Sequence, residues 1–197
     1  GSAAEAENGG LNRWRMPHSS EPISEQTTVA SQRIHIETPL IESLPLSQRP
    51  GQRVWLKLEA LQPCGSFKAR GIGHACRHHY DRGSRRFLSS SGGNAGLAVA
   101  YSGRKLGVPV TVVVPESTSQ RAQRLIRAEA GEVIVHGHSW QEAHEYALSL
   151  CEAESVYVHP FDDPLLWEGH ASLVAEVAAA GVTPDAIVLS VGGGGLL

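Results

Sequence analysis

Residues Phe87–Pro115 read FLSSSGGNAGLAVAYSGRKLGVPVTVVVP. Phe87-Leu88-Ser89 predicts the end of a strand. Asn94 to Leu106 predicts a helix stopped by Gly107, and Val110 to Val114 is an apolar β-branched strand closed by Pro115. Strand, glycine-bearing loop, helix and strand make one βαβ unit, whose crossover implies parallel strands.

The same alternation extends outward. Toward the C-terminus it predicts a helix from about Thr118 to Ala130, a strand from Val133 to Val135, a helix from Trp140 to about Glu152 and a strand near Val156 to His159. A helix from Pro164 to Ala180 and a buried strand, Ala186 to Val191, follow, running into Gly192-Gly193-Gly194-Gly195. Toward the N-terminus, a helix after Gly71 runs to about Arg82, and Val54 to Glu59 alternates as a strand. Thr38-Pro39-Leu40 leads into a short helix, and residues 1–30, with little periodicity, are expected to form a flexible tail. The expected fold class is α/β: parallel open sheets with helices on both faces.

Hydrophobic residues make up 41% of the 197, enough for a core. A formal net charge of -3 without clustered Lys and Arg argues against a nucleic-acid footprint. No apolar run approaches the roughly 20 residues of a membrane helix, and no signal-peptide segment is evident, so a cytoplasmic protein is expected. Cys64, Cys76 and Cys151 are an odd number, which favours reduced thiols over a disulfide framework.

The chemistry centres on Pro63-Cys64-Gly65-Ser66-Phe67-Lys68-Ala69-Arg70-Gly71. A helix cap at Ser66 would place Lys68 in the first turn, where the helix dipole and Arg70 both disfavour an ammonium and make the amine more nucleophilic. Two glycine loops sit at expected carboxyl ends of strands, where open α/β sheets bind ligands. Ser90-Ser91-Gly92-Gly93-Asn94-Ala95-Gly96 presents free N–H groups and the Asn94 amide and suits a small carboxylate. Gly192 to Gly195 carry a heavy entropic cost that a phosphate held by successive backbone N–H groups would offset. Neither loop matches a dinucleotide fingerprint or a P-loop. His74, Cys76, His78 and His79 are crowded, but on a helix Cys76 turns away from the two histidines that share a face, so no metal is expected.

Ser66-Phe67-Lys68-Ala69-Arg70-Gly71, Ser91-Gly92-Gly93-Asn94-Ala95-Gly96, Phe161-Asp162-Asp163-Pro164, Glu168-Gly169-His170 and Gly192 to Leu197 occur in this order. Together they resemble the L-serine dehydratase/L-threonine deaminase family, nearest its serine-dehydratase-like branch, over about residues 34–197. The resemblance implies a pyridoxal 5'-phosphate enzyme of fold type II, the tryptophan-synthase-β type, converting L-serine or L-threonine to a 2-oxo acid and ammonia. It implies that residues 31–60 and 165–197 belong to a large cofactor domain and 61–164 to a small α/β domain. Lys68 would carry the cofactor and later remove the substrate α-proton, with Phe67 beside the pyridine ring. Ser91, Gly92, Asn94 and Ala95 would hold the substrate carboxylate, Asn94 also meeting the cofactor's ring hydroxyl. Gly192, Gly193, Gly194, Gly195 and Leu196 would bind the phosphate, which in the family is held to protonate the leaving hydroxyl. A small-molecule amino acid is the implied partner, and a homodimer the implied assembly of the full-length family.

This sequence departs from that pattern at several points. Cys64 replaces a small hydroxyl residue and Ala69 a larger aliphatic one. Gly92 stands where Ala or Ser is frequent, and the missing methyl is expected to loosen the fit around the substrate. Family members continue well past the tetraglycine, through the group that pairs with the pyridine nitrogen. A truncated, non-catalytic interaction fragment is therefore one alternative, and a racemase or β-replacing synthase of the same fold another.

Overall fold

The computed structural model describes residues 33–197. The expected N-terminal tail lies outside them. Strands β1 (Leu40–Glu42) and β2 (Trp55–Lys57) form an antiparallel pair. Strands β3 (Arg86–Ser89), β4 (Val110–Val114), β5 (Glu132–Val135) and β6 (Ser155–Tyr157) form a separate, parallel sheet in the order β5-β4-β3-β6. Leu88 of β3 is paired with Thr111 on one side and Tyr157 on the other. The chain thus builds outward from β3 through β4 to β5, then returns to add β6 on β3's free side.

Alternation along β4 decides how the helices are placed. Val110, Val112 and Val114 face a core shared with Phe87, helix α1 (Lys68–Asp81), helix α2 (Asn94–Leu106) and helix α3 (Gln120–Ala128). Val113 points the other way, against Ala143 and Ala147 of helix α4 (Trp140–Ser149). Every residue of β4 is buried, as expected for a central parallel strand covered on both faces. Gly107 ends α2 in the left-handed conformation, φ 68°, and Ser119 and Ser139 cap α3 and α4 by accepting the Ala122 and Glu142 N–H groups, each at 3.2 Å.

Helix α5 (Pro164–Ala179) starts on an Asp163 cap, whose carboxylate accepts the Leu165 N–H at 2.8 Å. It crosses α1 at two glycines. A Cβ on Gly169 would lie 2.6 Å from the Gly71 Cα, and one on Gly71 would lie 2.5 Å from the Leu166 carbonyl oxygen. The close crossing brings the fully buried Arg70 guanidinium to 2.7 Å from Glu59 and 2.6 Å from Glu176. Thr38 donates to Glu59 at 2.6 Å, and Lys57 pairs with Glu176. One buried cation thus ties the β1–β2 pair, α1 and α5 together. Burial raises the Glu176 carboxyl, but hydrogen bonds from Arg70 and Lys57 outweigh it and hold the pKa at about 2.

Three expectations are corrected. Leu40 begins a strand, not a short helix, because Leu40, Ile41 and Glu42 find ladder partners in Lys57, Leu56 and Trp55. The expected buried strand Ala186–Val191 is unpaired: Val188 is 98% exposed, and no strand among the described residues offers it a ladder. A β-branched run remains merely extended without a partner. Helix α1 begins at Lys68 rather than after Gly71; Phe67, not Ser66, occupies the cap position, with no side-chain cap.

Arg70→Met leaves two carboxylates facing an uncharged side chain, and a loss of about 3–5 kcal/mol is expected by urea unfolding. The lowered Glu176 pKa contributes stability that is present above the ordinary carboxylate value of 4.5 and lost as pH falls toward about 2. Glu176→Gln should flatten the stability–pH curve in that window, and an unchanged slope would remove this role.

Candidate active site

The return of the chain to add β6 creates a switch point between β3 and β6, and in open α/β sheets the crevice at the carboxyl ends of such strands receives ligands. Two segments leave there. Ser90 to Gly93 follows β3 into α2, whose first residue is Asn94, and Val158 to Asp163 follows β6 into α5.

Lys68, the first residue of α1, points into this crevice and donates to the Pro160 carbonyl at 2.6 Å. Burial lowers its pKa, and desolvation of the ammonium is the cause. The direction matches the sequence-based expectation, but the reason differs. Arg70 is turned away and neutralised by Glu59 and Glu176, so it does not act on Lys68 as expected. A desolvated amine needs less free energy to give up its proton, which suits covalent work.

Lys68 lines two adjoining cavities. One, of about 220 Å³, is bounded by Phe67, Lys68 and residues 189–197, including Gly192 to Leu196. The other, of about 350 Å³, is bounded by Lys68, Ser91, Asn94, Ala95 and Gly193, with Trp140, Pro160 and Phe161 on the remaining side. The structure therefore gathers the expected residues around one amine, with Gly92 outside both linings.

The glycine loop is built against Phe161. A Cβ on Gly193 would fall on the Phe161 ring and one on Gly195 would lie 2.5 Å from its carbonyl oxygen, while Gly194 has φ 85°. Glycine is thus needed on packing grounds at two positions and on backbone grounds at a third. A backbone cradle without side chains beside a desolvated lysine fits a phosphorylated aldehyde cofactor. Burial raises the thiol pKa of Cys64 and Cys76, which removes both as thiolate nucleophiles. Among the described residues no group of three or more His, Cys, Asp or Glu is placed to hold a metal ion.

Sequence reasoning assigned no role to three neighbours of this site. The Pro160 carbonyl has no side-chain signal to read. Trp140 stands apart from every motif. His170 belonged to a quoted motif, yet its contacts needed the α1–α5 crossing. Its Nδ1 accepts the Gly71 N–H at 3.2 Å, and its ring meets Phe67 edge-on with centroids 5.0 Å apart. Burial first, and then the charges of Lys68 and Arg70, lower its pKa to about 4, so a neutral ring braces the turn that carries Lys68.

Gly92 requires a correction as well. No void surrounds it: a Cβ there would lie 2.5 Å from Thr118 Cγ2 and 2.7 Å from Thr118 Oγ1. The Thr118 side chain fills the volume that an alanine would take. Gly92→Ala is expected to cost about 1–3 kcal/mol through overpacking, read as a lower thermal midpoint. Adding Thr118→Ala should restore most of it, and no restoration would show that the clash is not the cause.

Comparison with known proteins places these features in a family. Residues 32–197 match the family described as "Pyridoxal-phosphate dependent enzyme". A serine dehydratase-like protein of Mus musculus is 53% identical over 171 residues, covering 86% of this chain and 52% of that protein. The L-serine dehydratase/L-threonine deaminase of Mus musculus is 48% identical over 171 residues, covering 85% and 52% respectively. A solved fungal L-serine ammonia-lyase from Rhizomucor miehei superposes with a TM-score of 0.76 at 37% identity, covering 83% of this chain and 53% of that one. The chain spans about half the length of the curated relatives it matches. This chain belongs to the pyridoxal-phosphate dependent enzyme family.

Proposed function

We propose that the protein is a carbon–nitrogen lyase that converts L-serine and L-threonine to pyruvate and 2-oxobutanoate with release of ammonia. The observation that carries this reading is the position of Lys68, whose desolvated amine lies between a cavity bounded by Gly192 to Leu196 and a cavity bounded by Ser91, Asn94 and Ala95. Relatives named serine dehydratase-like and L-serine dehydratase/L-threonine deaminase favour it over a racemase or synthase.

Pyridoxal phosphate, when bound, supplies the electron sink that makes the substrate α-proton acidic. The rest falls to this chain's residues. Gly192 to Gly195 and Leu196 would hold the phosphate through backbone groups, and Phe67, on the lining of the same cavity, would flank the cofactor. Lys68 would hold the cofactor and would take the substrate α-proton at Nζ. Ser91, Gly92, Asn94 and Ala95 orient the carboxylate through the loop and the exposed N–H groups at the start of α2. Gly92 takes part through its backbone, since Thr118 occupies its side-chain space. Loss of the α-proton and the β-hydroxyl, followed by hydrolysis, leaves the 2-oxo acid and ammonia.

The same reading assigns residues 61–164 to a small domain and residues 31–60 and 165–197 to a larger one. In its favour, the four-stranded sheet lies wholly within the former, and β1–β2 is a separate sheet. It includes a cytoplasmic location and a homodimer. No helix among the described residues is long and apolar enough to cross a membrane.

Borohydride reduction of the protein loaded with pyridoxal phosphate, followed by peptide mass spectrometry, is expected to find the adduct on Lys68 and to find none in Lys68→Ala. Pyruvate should form from L-serine in the unsubstituted protein only. An adduct confined to another lysine, or none, would sink the proposal.

A further inference from the structure

Trp140 stands at the second cavity without a role in the chemistry above. An α-amino acid has three groups to place around its α-carbon. If the cavity is the amino-acid site proposed above, on which this inference rests, Lys68 takes the amine and the Ser91–Ala95 loop the carboxylate. The side chain then takes the remaining direction. Three of the other lining residues are already committed. The Pro160 carbonyl accepts from Lys68, Gly193 has no side chain, and Phe161 is packed into the glycine loop with its carbonyl accepting the Trp167 Nε1–H at 3.0 Å. Beside the rings of Pro160 and Phe161, Trp140 completes the wall of the cavity, and it comes from α4, on the opposite side of the sheet from the core that carries α1.

This tryptophan is neither a core residue nor a loose surface one. It is 38% exposed, yet its ring is stacked on His144 with centroids 5.0 Å apart and planes 11° from parallel. His144 Nδ1 shares a hydrogen bond with the Tyr157 hydroxyl at 2.8 Å, and that hydroxyl shares another with the buried Ser90 Oγ at 2.5 Å. Ser90 immediately precedes Ser91. The indole is thus registered, through one imidazole and one phenol, to the loop assigned to the carboxylate. Capping of α4 does not explain the arrangement, because Ser139 and Glu142 perform it without the indole. A rigid apolar surface at a fixed distance from a carboxylate site measures length.

We propose that Trp140 is a specificity-determining residue: its ring meets the β-substituent of the substrate and limits its size, and His144 and Tyr157 are positioning residues that hold it in place.

The test uses the whole chain loaded with pyridoxal phosphate and titrated with glycine, L-serine, L-threonine and L-3-phenylserine, following the cofactor's visible absorption as a measure of binding. In Trp140→Ala, affinity for phenylserine relative to glycine is expected to rise about tenfold or more, while glycine itself stays within about twofold of the unsubstituted protein. His144→Ala, which frees the ring without removing it, should move the same ratio in the same direction by a smaller factor. A ratio unchanged in Trp140→Ala, or a parallel change for all four amino acids, would overturn the assignment while leaving the amino-acid reading intact. A chain that forms the Lys68 adduct but responds to none of the amino acids would overturn both.

Discussion

A guanidinium cut off from solvent must be met by carboxylates, and Arg70 imposes that requirement on most of the N-terminal and C-terminal elements at once. Its partners come from the turn after β2 and from the last turn of α5, with Thr38 and Lys57 completing the set. Moving α1 relative to α5 would strand a buried charge, at a cost of several kcal/mol. The glycine-to-glycine crossing at Gly71 and Gly169 lets the two helices approach closely enough for the pairing to form. Lys68 lies two residues before Arg70, so the same constraint that holds the helix holds the Lys68 amine.

Around that amine the protein removes charge rather than adding it. Arg70 spends its charge on Glu59 and Glu176, and His170 is kept neutral down to a pH of about 4 by burial and by the neighbouring cations. What remains near Lys68 is a carbonyl, the rings of Phe67, Trp140 and Phe161, glycine backbone and the uncharged residues Ser91, Asn94 and Ala95. A lysine in such surroundings loses hydration without gaining a counter-ion, which is the physical route to a more available amine. The groups that line the two cavities come from the start of α1, from the loops that flank the β3–β6 switch point and from the tetraglycine, so sheet topology brings together residues far apart in the chain.

Much of this was legible in the residues. The βαβ unit at Phe87–Pro115 was bounded by glycine and proline, and its helix and second strand were found where periodicity placed them. The loop at Gly192 to Gly195 was recognisable because four successive glycines are costly unless something requires them. Less legible was anything depending on a partner. Ala186–Val191 has the composition of a strand, but composition supplies no ladder. Leu40–Glu42 lies in a stretch read as leading into a helix, yet it pairs with β2. Gly92 looked like a missing methyl until Thr118 was seen in its place.

The sequence by itself determined the order of elements from β3 to α5, the parallel character of their sheet and the candidate amine and loops, because helix period, glycine stops and β-branched runs are local properties of the chain. Only the tertiary structure decided why the Lys68 amine is desolvated, which way Arg70 faces, what braces Phe67 and which aromatic rings line the cavity. Those depend on burial and on contacts across up to about a hundred residues, such as Gly71 to His170 and Arg70 to Glu176. Desolvation is a property of the space around a side chain, and no spacing along the chain encodes it.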